Sequence, residues 1–120
     1  RIKSTAINGC PPELMGLGPI GASLKALKRA ELDINDIDII ELNEAFASQS
    51  LACIKELKIN PDKVNIEGGA IAIGHPLGAT GARITAKAAY LMNKHNKQYA
   101  LATQCIGLGQ GIATVLEKVE

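Results

Sequence analysis

Tryptophan is absent from this sequence of 120 residues, which has only one phenylalanine and two tyrosines. A core built without large rings has to close through Ile, Leu, Val and Ala packed at short range. Apolar runs of the ~20 residues that a membrane-spanning helix needs are also missing, so no transmembrane segment is expected. Neither sign of charge is in excess: 13 Lys and Arg against 12 Asp and Glu leave a formal +1. That balance gives no electrostatic reason to expect nucleic acid or an anionic membrane as a partner. Cysteine is sparse, odd in number and without metal-ligand spacing, at Cys10, Cys53 and Cys105. Free thiols in a reducing, cytoplasmic setting are therefore expected rather than disulfides, and no metal site. No signal-peptide pattern follows Arg1, Lys3 and Ser4, and the terminal Lys118-Val119-Glu120 carries no peroxisomal address. A start at Arg1 rather than Met suggests a piece of a longer chain.

What remains is ordinary globular protein, with 47% hydrophobic and 21% charged residues. A chain of this length buries roughly two-thirds of its unfolded surface. No repeat or linker divides it, so residues 1–120 read as one domain. Arg1 to Ile7 resembles the tail of a strand, and Asn8 to Pro19, rich in Gly and Pro, reads as a loop. From Ile20 the spacing of Ile20, Leu24, Leu27 and Ala30 predicts a helix with those residues inward. Ile37 to Leu42 is a short β-branched run, a buried strand. Asn43 stands where a helix N-cap belongs, with Glu44 in the first turn and Phe46, Ser50, Cys53, Ile54 and Leu57 as the inner stripe. Gly68 to Gly81 reads as a loop. A third helix is predicted from Thr80 to Lys94, with Ile84, Ala88, Leu91 and Met92 inward. Tyr99 to Cys105 and Ile112 to Leu116 then read as strands joined by a short turn and antiparallel. The order indicates an α/β layered domain around a mixed sheet.

Three segments carry chemistry, each beside a strand end. Asn43-Glu44-Ala45-Phe46-Ala47 reads, taken alone, as helix capping. Gly68 to Gly81 presents a single imidazole, His75, from a glycine-dense loop stiffened by Pro76. Such conformational specification points to a built site. Phosphate binding at the helix start near Gly78 to Gly81 is a physical alternative. In Cys105-Ile106-Gly107-Leu108-Gly109-Gln110-Gly111 the thiol ends a strand, and the glycines behind it free backbone N–H groups to face a ligand oxygen. A small buried hydrophobe is the plain alternative for Cys105. A dinucleotide loop is excluded there, because a β-branched segment follows where a helix is needed. A thiol, an imidazole and clustered backbone donors suit acid/base chemistry on a thioester or ketone.

Asn43-Glu44-Ala45-Phe46, Gly74-His75-Pro76-Leu77-Gly78 and Cys105-Ile106-Gly107, in this order, resemble the C-terminal half of thiolases. Met15-Gly16-Leu17-Gly18-Pro19 resembles that family's upstream loop, so the resemblance runs from about Pro12 to the end. Ketoacyl synthases share a Gly-His element but usually lack the following Pro and a Cys at the position of Cys105. The fold implied is a layered, thiolase-like α/β domain with a five-stranded mixed sheet and helices on its faces.

The activity implied is reversible Claisen condensation and thiolytic cleavage of 3-ketoacyl-CoA, with coenzyme A thioesters as substrates and no cofactor. By the resemblance His75 would be the base that activates a nucleophilic cysteine, and Asn43 would hold a water that completes one oxyanion site with His75. Cys105 would protonate the departing acetyl-CoA carbanion, and the backbone N–H of Gly107 would serve a second oxyanion site. Met15, Ala45 and Phe46 would line the pantetheine or acyl tunnel, although Met15 and Phe46 also suit a core. The family's nucleophile lies in an N-terminal half absent from this sequence, and neither Cys10 nor Cys53 replaces it. Leu108 stands where many thiolases have another glycine. The expected partners are an acyl-CoA substrate, the thiolase N-terminal half and a second copy in a homo-oligomer. A stand-alone acyl-CoA or lipid-binding module, or an assembly module of the same fold, is the alternative.

Overall fold

The computed structural model describes residues 1–119. Its strands are β1 (Ile2–Gly9), β2 (Ile39–Leu42), β3 (Tyr99–Ile106) and β4 (Gln110–Glu117). They form one mixed sheet in the order β1-β4-β3-β2. β4 pairs antiparallel with both β1 and β3, while β2 runs parallel to β3. The helices are α1 (Gly18–Ala30), α2 (Ala47–Glu56), the single turn α3 (Ala70–Ile73) and α4 (Thr80–Lys94).

The sheet has four strands among the described residues, not the five expected. The segment beside β2 touches it at one bridge, Ile40 to Val64. Asn65 then adopts φ 48°, which ends any extended run. Its side chain does the work of a strand instead. Asn65 Oδ1 accepts from the Leu42 N–H at 3.0 Å, and Nδ2 donates to the Leu42 carbonyl at 2.8 Å. One amide thus closes a sheet edge that would otherwise stand open.

The absence of large rings explains how α1 sits. Ala22, Ala26 and Ala30 are buried against the sheet, and Gly18 meets Gly111 backbone to backbone. A Cβ on Gly18 would lie 2.3 Å from the Gln110 carbonyl oxygen, so neither partner tolerates a side chain. At this range there is no room beneath the helix for long aliphatics. The inward stripe is therefore Ala22, Ser23, Ala26, Leu27 and Ala30, and Leu24, expected inside, is 55% exposed. On this face Ile40, Leu42, Leu101, Ala113 and Val115 join Leu27, Cys53 and Leu57 in the larger core. Strand alternation turns Ile39, Ala100, Ala102 and Leu116 to the other face. There they pack on Ile84, Ala88, Leu91 and Met92 of α4, the stripe its spacing predicts.

Candidate active site

The carboxyl ends of β2 and β3 open into a cavity of about 460 Å³. Four segments meet around it. The turn before α1 contributes Met15, the β2–α2 junction Ala45 and Phe46, the loop before α4 His75, and the end of β3 Cys105 and Gly107. Six of the seven residues singled out in the sequence therefore line one space, although 90 residues separate Met15 from Cys105. Parallel β2 and β3 explain this, since ligands in such sheets gather at strand carboxyl ends.

Asn43 is the exception. Its backbone N–H donates to the Thr103 carbonyl at 2.9 Å, and it lines a smaller cavity rather than this one. Nor is it the helix cap expected from the sequence: α2 begins at Ala47 with Phe46 at the cap position. Asn43 is 1% exposed, and both its side-chain oxygen and nitrogen lack hydrogen-bond partners. Glu44 likewise does not serve the first turn of α2. It accepts from Asn65 Nδ2 at 3.1 Å and from the Ile71 N–H at 2.9 Å, tying the junction to the start of α3. Phe46, expected on the inner stripe of α2, is 63% exposed at the cavity rim.

His75 is held by a neighbour the sequence reading missed. Thr80, fully buried in the first turn of α4, has its hydroxyl 3.0 Å from the Pro76 carbonyl and 2.6 Å from His75 Nδ1. A hydroxyl that donates to the carbonyl accepts from Nδ1–H, the tautomer in which Nε2 is the ring's acceptor. The signal was a Thr five residues after His75, in reach of its ring once a helix starts there. Arg83 anchors the same loop by donating to the Gly74 carbonyl at 2.7 Å.

Cys105 is 7% exposed, and burial pushes its thiol up, so it stays protonated at neutral pH. Behind it, Leu108 takes φ 67° and Gly109 φ 83°. A Cβ on Gly109 would come 2.5 Å from the Cys10 carbonyl oxygen, so this turn requires glycine there. Cys53 is buried between Gln49 and the Gly16 carbonyl, its thiol also raised by burial, and neither it nor Cys10 lines the cavity. Gln104, Ile106 and Leu77 complete the wall, none of them foreseen as site residues. Among the described residues no group of three or more His, Cys, Asp or Glu side chains is arranged to hold a metal ion.

A family model described as "Thiolase, C-terminal domain" matches residues 1–118. The chain belongs to the thiolase family. The thiolase domain is 60% identical over 121 residues to the 3-ketoacyl-CoA thiolase of Vibrio vulnificus (strain YJ016), covering 98% of this chain and 31% of that protein. It is 57% identical over 123 residues to the 3-ketoacyl-CoA thiolase of Photorhabdus laumondii, covering 100% of this chain and 32% of the relative. Two crystal structures of human mitochondrial 3-ketoacyl-CoA thiolase, one of them in complex with CoA, superpose with a TM-score of 0.98 at 45% identity. The match covers 99% of this chain and 30% of the human chain in the first of those structures. The thiolase domain thus spans about a third of the length of these relatives.

Proposed function

We propose that this chain supplies the C-terminal catalytic segment of a 3-ketoacyl-CoA thiolase and works only together with the N-terminal half that carries the nucleophilic cysteine. The observation that carries this reading is the single cavity in which His75, Cys105 and Gly107 meet beneath Met15, Ala45 and Phe46. In it, His75 Nε2 takes the proton of the incoming cysteine thiol, and the thiolate attacks the 3-keto carbon. The bond between C2 and C3 breaks, the acyl group stays on the nucleophile, and the departing carbanion takes its proton from Cys105. The Cys105 thiolate then deprotonates coenzyme A, whose sulfur releases the acyl group. The raised thiol of Cys105 suits both steps, since a carbanion beside a thioester needs a nearby acid and coenzyme A needs a base.

Asn43, with a water and His75, completes the oxyanion site for the thioester, and the Gly107 N–H serves the second site. Coenzyme A is a substrate here, and no cofactor takes part. The exposed Phe46, Leu77 and Leu108 at the rim suit an apolar surface covered by the other half and by acyl chain. The working enzyme in this reading is a cytoplasmic homo-oligomer of fatty acid metabolism. No helix of the described residues is long and apolar enough to cross a membrane.

The test joins this chain to the N-terminal part of the Vibrio vulnificus relative and follows acetoacetyl-CoA cleavage by absorbance. Turnover is expected from the joined protein and not from the chain alone. His75→Ala and Cys105→Ala are each expected to lower kcat by at least about 100-fold, the scale of losing a positioned acid or base. Turnover that survives both substitutions would overturn the reading.

A further inference from the structure

Next to the catalytic cavity, beneath the β2–α2 junction, lies a polar space of about 10 Å³, room for a single water. Glu41 and Asn43, two residues apart and so on the same face of the chain, both line it. They are 2% and 1% exposed. Glu41 Oε1, Asn43 Oδ1 and Asn43 Nδ2 are all buried without a hydrogen-bond partner, which native interiors rarely leave so. Across the space α4 presents two cations, Arg83 and Lys87, the latter with Nζ 3.6 Å from Glu41 Oε1.

We propose that Glu41 is the positioning residue for Asn43, fixing the direction of its amide through one water molecule shared between them. This rests on the thiolase reading of Asn43 as holder of the oxyanion-site water. One arrangement of donors and acceptors gives Glu41 this role. The water's oxygen faces Arg83 and Lys87, which only donate. Its protons go to ionised Glu41 and to Asn43 Oδ1, leaving Asn43 Nδ2 free to donate to the oxyanion-site water of the thiolase reading. Protonated Glu41 presents an O–H donor beside its remaining acceptor, so it can meet the water either way and the order of donors and acceptors is no longer fixed.

Burial pushes the Glu41 carboxyl up to about 7, against the opposing pull of Lys87 and Arg83 and with a small upward push from Glu44. β3 sets only uncharged Ala102 opposite it, and the segment after β2 lends uncharged Asn65. The switch between the two arrangements therefore falls near neutral pH.

The experiment uses the joined, active protein and its Glu41→Gln variant, which keeps the shape and removes the charge. Above neutral pH, Glu41→Gln is expected to lower kcat on the order of 10- to 100-fold with KM unchanged, as for a small misplacement of a reacting group. The ratio of the two kcat values is expected to fall toward one well below neutral pH, where wild-type Glu41 is itself uncharged. A crystal structure of the joined protein is expected to show the water between the two side chains. A ratio that stays flat with pH, a KM that rises as kcat falls, or direct contact of the two side chains with no water overturns the proposal while leaving the thiolase reading intact. An inactive wild-type joined protein overturns that reading instead, and with it the role given to Asn43.

Discussion

The core under α1 and the carboxyl rim of β2 and β3 are built on opposite terms. Under α1, small apolar residues pack at close range, and Ser23 and Thr103, the buried polar pair there, hydrogen-bond to each other at 3.3 Å. At the rim, among the described residues, lie all the buried side-chain atoms left without partners, on Glu41, Asn43 and Gln104. The same rim holds the left-handed Asn65 and Leu108 and the exposed Phe46 and Leu77. Local rules are broken together at one place, where a protein gives up stability for function. The core holds the rim in shape, and the rim leaves buried polar atoms unpaired and apolar side chains exposed.

Substitutions on either side can break or sharpen this contrast. The largest effect is expected in the core, where Leu101 is fully buried. Leu101→Ala should cost about 2–5 kcal/mol of unfolding free energy, read from urea denaturation. A cost below about 1 kcal/mol would mean that the α1 face is looser than its packing indicates. An intermediate effect is expected at the closed sheet edge. Asn65→Ala removes both bonds to Leu42 and leaves those backbone groups unpaired, at a cost of about 1–3 kcal/mol in the same measurement. No loss there would show that water serves the edge as well as the amide does.

The smallest effect is expected at Leu108, 91% exposed and left-handed. Leu108→Gly relieves the left-handed strain and is expected to be neutral or stabilising by up to about 1 kcal/mol. A clear destabilisation would give Leu108 a packing role that its exposure denies.

The sequence was most legible where one rule acted alone. The stripe of α4 follows from spacing because large aliphatics and helical period agree at Ile84, Leu91 and Met92. The same rule misplaced Leu24, because it ranks residues by apolar size and α1 lies where only alanine fits. Asn43 looked like a cap because capping is the usual local use of asparagine. Its burial beside Glu41 depends on α4, some forty residues further on, which no local rule sees. The fifth strand was expected from the resemblance, and the Asn65 side chain stands in its place. Of the six cavity residues, His75, Cys105 and Gly107 stand in or beside glycine-rich segments, and Met15, Ala45 and Phe46 were expected from the resemblance; Thr80 and Gln104 lie inside regular elements and carry no such mark.

The strand order has a kinetic consequence. β4, last in the chain, is the only described strand paired with β1, and its Leu116 sits opposite Ile2. Until β4 is in place β1 has no neighbour, and α1, whose glycine contact is to Gly111, lacks its seat. The β3–β4 hairpin can close early, but joining it to β1 means closing a loop of nearly the whole chain. That step costs the most entropy and should set the folding rate. On the ribosome, β1 must wait for β4, made roughly a hundred residues later.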